Sequence, residues 1–170
     1  MKRIAQTAMA FLLLLILCAC GLSDEERRER AIAELNENSD LPFALTLPET
    51  ELGDVGAYQQ GGGWGCCSLE NPDIYLTLSG YPDVMDPYHI TGCHLRTARY
   101  SLFGLRVGDE RARAREVLEP WGYRSVPGGS AWADACYEKD GITIQFDFRE
   151  GKVFFIMVSV ESTNIEGVVF

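Results

Sequence analysis

Positive charge is scarce in this chain of 170 residues: 15 Lys and Arg stand against 25 Asp and Glu, a net charge of −10. A protein that grips duplex nucleic acid offsets phosphate charge with a basic surface, so no nucleic-acid partner is expected. Long apolar runs are missing too. The longest, Ala8 to Ala19, falls short of the roughly 20 residues that a membrane-spanning helix needs. The stretch Gly61-Gly62-Gly63-Trp64-Gly65 is followed by no Lys-Ser or Lys-Thr, which excludes a phosphate loop, and it does not fit a dinucleotide fingerprint. Asp73, Asp83 and Asp86 lack the spacing of a calcium loop, and the cysteines lack the paired short spacings of a zinc site. No cofactor is implied. With 46% apolar and 24% charged residues the chain is too hydrophobic to be wholly disordered, and it is too short for two large domains.

What is present begins with Lys2 and Arg3 ahead of the apolar run, the pattern of a secretory signal. Leu17-Cys18-Ala19-Cys20-Gly21 then resembles the lipobox of bacterial lipoproteins: an aliphatic residue three before the cysteine and a small residue just before it. The resemblance implies a signal peptide over residues 1–19, with Cys20 diacylated as the mature N-terminus. Two acyl chains hold firmly where one is marginal. The expected location is outside the cytoplasm, on the outer face of the cytoplasmic membrane or on the outer membrane. Losing residues 1–19 removes Lys2 and Arg3 and takes the charge from −10 to −12. Anionic headgroups repel such a module, which favours a tether between lipid and domain. Residues 20–40 fit that role as a charged spacer or a short helix, with Ser23 and Glu26 in capping-box spacing and a thin stripe of Ala31, Ile32 and Leu35.

Four cysteines remain in the mature chain, Cys66, Cys67, Cys93 and Cys136. In an oxidising compartment an even count reads as disulfides, with each of the adjacent pair joined to one distant partner. The rival reading joins cysteine and His89 or His94 to a metal.

Residues 41–170 read as one disulfide-stapled α+β domain. Leu41 to Leu69 is punctuated by proline and glycine, and order begins at Asp73. Ile74 to Ser79 alternates as a half-buried strand, and His89 to Arg99 reads as another. Asp109 is the expected N-cap of a helix that runs to about Glu119 and is closed by Pro120 and Gly122. Ala135 to Lys139, Ile142 to Phe148 and Val153 to Val160 follow, joined by the two-residue Asp140-Gly141 signal and by a turn over Arg149-Glu150-Gly151-Lys152, as an antiparallel meander. Helices on that meander make a two-layer domain with about four strands.

Phe103-Gly104-Leu105-Arg106-Val107-Gly108-Asp109, followed by an amphipathic helix, Gly122-Tyr123 and strands containing Gly151-Lys152-Val153 and Ile156-Met157-Val158, resembles the beta-lactamase-inhibitor-protein-like superfamily. That superfamily includes small outer-membrane-assembly lipoproteins. The resemblance covers about Leu102 to Val160 and implies helices on an antiparallel sheet. For function it implies an interaction or inhibitor-like module with an envelope or extracellular protein as partner, since members range from enzyme inhibitors to assembly factors. Separately, no obvious nucleophile stands in the sequence, so no enzymatic activity is expected.

Strict alternation in the last strand puts Phe154, Ile156, Val158 and Val160 on one face and Val153, Phe155 and Met157 on the other. The second set, with Trp132, is the candidate interaction surface unless the glycine-rich half or the first helix covers it. The scattered aromatics Trp64, Tyr75, Tyr81, Tyr88, Trp121 and Trp132 also suit core packing or a glycan platform. The alternative site is polar: Asp83, Asp86 and His89, with Cys93 and His94 beyond, as a cation site or a small hydrolytic centre. Cys93 would be its nucleophile only if reduced.

Overall fold

A computed structural model describes residues 22–48, 58–60, 65–68, 73–79, 89–127 and 133–160. The signal sequence, Cys20, residues 61–64, Asp83, Asp86 and Trp132 lie outside the described residues.

Ser23 opens the first helix, α1 (Asp24–Glu37). Its hydroxyl accepts the Glu26 N–H at 3.2 Å while its own N–H donates to the Glu26 carboxylate at 2.7 Å, so both halves of the capping box form. The helix is not a spacer. Ala31, Ile32 and Leu35 are buried in the hydrophobic core, and Glu34 pairs with Lys139. A stripe too thin to stand out in the sequence suffices because it needs to cover only one corner of a sheet.

Among the described residues that sheet has eight strands, against the four or so expected: β1 (Tyr58–Gln60), β2 (Gly65–Ser68), β3 (Ile74–Ser79), β4 (His89–Leu95), β5 (Arg124–Val126), β6 (Ala135–Lys139), β7 (Ile142–Arg149) and β8 (Lys152–Val160). All neighbours are antiparallel, in the order β1-β2-β3-β4-β8-β7-β6-β5. The last described strand, β8, thus sits mid-sheet and joins the two meanders. β1, β2 and β5 have three or four residues each, too few for alternation to show. The domain is α+β in two layers: α1, the second helix α2 (Arg111–Leu118) and the loops beside them bury one face of the sheet around Leu76, Ile144, Phe146 and Ile156.

The two-residue hairpins behave as their sequences predict. Asp140 and Gly141 have φ of 45° and 80°, and Glu150 and Gly151 have 51° and 79°, the left-handed pair that follows the strand twist. The expected N-cap of α2 shifts by one residue: Glu110 is the cap and makes no side-chain capping bond. Asp109 instead accepts the Arg106 N–H at 2.9 Å and meets Arg113 at 3.3 Å. Beyond α2, a 3₁₀ turn over Glu119–Trp121 ends at Gly122 (φ 86°), where Tyr123 donates back to the Leu118 carbonyl at 3.2 Å.

The Phe103–Asp109 motif is a structural junction. Phe103 and Gly104 make a tight turn (φ 53° and 78°) held by reciprocal Leu102–Leu105 backbone bonds of 3.0 and 2.8 Å. Leu105 drops into the core. Arg106 donates to the Ala98 and Arg99 carbonyls, each at 2.9 Å, and pairs with Asp40 at 2.5 Å. Burial raises the pKa of Asp40, but the Ser101 N–H and Arg106 outweigh it and hold the carboxyl below its usual value. The motif thereby ties the end of α1 to the loop ahead of α2.

Two bulges bend the sheet. Thr77 pairs with Gly92 and Leu78 with Ile90, so Thr91 is extra on β4. Gly92 lies against β8 so closely that a Cβ would stand 2.5 Å from the Val158 carbonyl oxygen. Opposite, Asp147 pairs with Phe155 and Phe148 with Val153, which leaves Phe154 extra on β8.

Candidate functional site

The β8 bulge reverses which residues face the core. Inserting one residue flips everything beyond it to the other face. Val153, expected on the outer face, is 1% exposed in the core, and Phe154, expected in the core, is 44% exposed. Arg149 lies over the Phe154 ring at 3.4 Å from its centre. Phe155 and Met157 stand, as expected, on the face opposite the helices, and both are half-buried.

Register assembles the rest of that face. Tyr75 pairs with His94, and His94 with Met157, so β3, β4 and β8 contribute one side chain each to a single row. The His94 ring lies 5.1 Å from Tyr75 and meets Phe155 edge-on at 5.2 Å. The Arg96 guanidinium also lies over the Phe155 ring, 5.9 Å from its centre. The result is a ladder, Tyr75–His94–Phe155–Arg96, across three strands. Tyr75 is 37% exposed. Burial first, and then the charge of Arg96, lower the pKa of His94, so the imidazole is neutral near pH 7. Tyr75, His94 and Arg96 were not identified as one surface from the sequence. The available signal was parity, since each is offset by one from a buried neighbour.

Among the described residues the expected disulfide staples are not found. Cys93 and Cys136 are free, buried thiols. Cys93 shares a row with Val158, Ile144 and Tyr137, whereas Cys136 shares one with Gln145, Met157 and His94. They therefore point to opposite faces, three strand spacings or about 14 Å apart. Cys66 occupies a register position on the other side of Leu76 from Cys93. Two strand spacings are roughly 10 Å, beyond the Cα separation of about 7 Å that a disulfide bridges. Burial pushes the Cys93 thiol up to about 12. Burial, and then Glu138, also raise Cys136.

Of the polar alternative, Asp83 and Asp86 lie outside the described residues, and its described members do not come together. Cys93 and His94 are neighbours on a strand and so face opposite sides, which prevents a thiol–imidazole pair. His89 donates from Nδ1 to the Thr46 carbonyl at 2.8 Å. Five residues of strand put it roughly 17 Å from His94. Among the described residues no three His, Cys, Asp or Glu side chains gather as metal ligands.

No protein-family model, curated protein or solved structure matches the chain.

Proposed function

We propose that this chain is a lipid-anchored, extracytoplasmic interaction module of the beta-lactamase-inhibitor-protein-like kind, docking a partner protein on the face of its sheet opposite the two described helices. The observation that carries the reading is the Tyr75–His94–Phe155 ladder. Aromatic rings on a rigid sheet offer large contact area at small entropic cost, and Arg96 at the rim adds a directional charge. The lipobox at Cys20 supports the anchor, and the two-layer fold and the Phe103–Asp109 junction agree with the superfamily.

The test is photo-crosslinking in living cells from residues placed at Tyr75 or Met157, with Ala33 and Glu116 on the outer faces of the two helices as controls. The expected result is a discrete protein adduct from the sheet positions alone. Equal labelling from the helix positions, or none from the sheet, would overturn the reading. Loss of metabolic acyl label in Cys20→Ser checks the anchor separately.

A further inference from the structure

The capped start of α1 lies so close to Cys20 that the lipid anchor, taken from the reading above, dictates how the domain stands on its membrane. Local bonds hold the chain from Leu22 onward. Arg27 donates to the Leu22 carbonyl at 2.6 Å, and Ser23 donates to Glu26 at 2.7 Å. α1 is in turn fixed to the sheet by the fully buried Leu35, the Glu34–Lys139 pair and Arg27 at 3.7 Å from Asp140. Cys20 is two residues from Leu22, and two fully extended residues span only about 7 Å. A spacer of that length cannot hold a folded domain away from the lipid.

We propose that the end of the domain formed by the start of α1 and the Asp140-Gly141 hairpin lies against the lipid surface, with the Glu150-Gly151 hairpin pointing away. Two features of that end suit a lipid surface. Leu22, the described residue nearest the anchor, is 45% exposed, an apolar side chain placed where acyl chains and headgroups begin. The negative charge there is small: Arg27, Arg28 and Arg30 stand against Asp24, Glu25, Glu26, Glu29 and the hairpin's Asp140, a local net of −2. Carboxylates farther away are screened over a Debye length of about 8 Å. β7 runs from the anchored hairpin to the free one over eight residues, roughly 27 Å. The start of α2 lies at the free end, where the Arg111 N–H donates to the Gly151 carbonyl at 2.8 Å. The His94 row, level with Gln145 on β7, is then presented on the flank, about 10 Å along the strand from the anchored end.

The test uses the full chain in living cells. A photo-crosslinking residue is placed at Glu25 or Asp140 on the anchored end, and at Arg113 or Lys152 on the free end. Phospholipid adducts are expected from the first pair and not from the second. Inserting about 20 Gly-Ser residues between Gly21 and Leu22, an r.m.s. span of roughly 25 Å, should abolish the difference. Adducts from both ends alike, or a bias that survives the insertion, would overturn the orientation while acyl label on Cys20 persists. Absence of that label removes the anchor, and the orientation with it.

Discussion

Replacing Leu35 with alanine measures whether α1 is part of the folding unit or an appended spacer. Leu35 is fully buried among Ala31, Ile32 and the sheet core. The substitution removes three carbon groups, worth about 0.8 kcal/mol each, so transfer alone costs about 2.4 kcal/mol. If the cavity walls do not relax, the cost rises toward about 5 kcal/mol. For a domain of this size a loss of about 3 kcal/mol lowers Tm by roughly 10 °C. The assay is urea unfolding of the chain without residues 1–19, followed by circular dichroism and tryptophan fluorescence. Both probes should report one transition with an earlier midpoint and an unchanged slope. Ala33→Gln, on the exposed face of the same helix, is the control and should shift stability by less than about 0.5 kcal/mol. A Leu35→Ala variant within that same margin, or a separate transition for α1, would refute the packing argument.

Gly92→Ala should cost about 2 kcal/mol or more in thermal unfolding, because the added methyl meets β8 backbone rather than a movable side chain. Val153→Ala should cost about 2 kcal/mol in urea unfolding, against less than about 0.5 kcal/mol for Phe154→Ala; the reverse order would mean that β8 has no bulge. His94 has a folded pKa below its unfolded value, so the unfolded state binds the proton first. The stability it contributes is present above the unfolded pKa of about 6.5 and is lost as the pH falls through the folded value. His94→Gln should remove that component from a pH series of urea midpoints. With Cys66 and Cys67 both replaced by serine, thiol titration in denaturant without reductant should find Cys93 and Cys136 free, and without denaturant Cys93 should not react.

Local chemistry was legible wherever a residue acts on its near neighbours in the chain. Ser23 and Glu26 announce a helix start because each bonds the other's backbone three residues away. Asp140-Gly141 announces a hairpin because aspartate and glycine tolerate the left-handed backbone the turn requires, and Gly151 marks the second turn for the same reason. Ile142 to Phe148 alternates cleanly because one face of β7 meets the core throughout. These features set the fold class, and Phe155 and Met157 could be placed on the outer face from strand parity alone.

Tertiary structure decided whatever depended on a partner distant in sequence. Whether α1 hangs free or packs turns on the sheet corner that Leu35 meets, not on the helix's own apolar stripe. The position of Val153 turns on a bulge that exists only because β7 and β8 are paired out of step by one residue. The fate of the cysteines turns on strand order, since β8 and β7 lie between β4 and β6 and the two buried thiols face opposite sides. The ring ladder is of the same kind. Tyr75 and His94 meet across the β3–β4 pairing, and Phe155 joins them only because β8 inserts beside β4, a long-range pairing that no local pattern records.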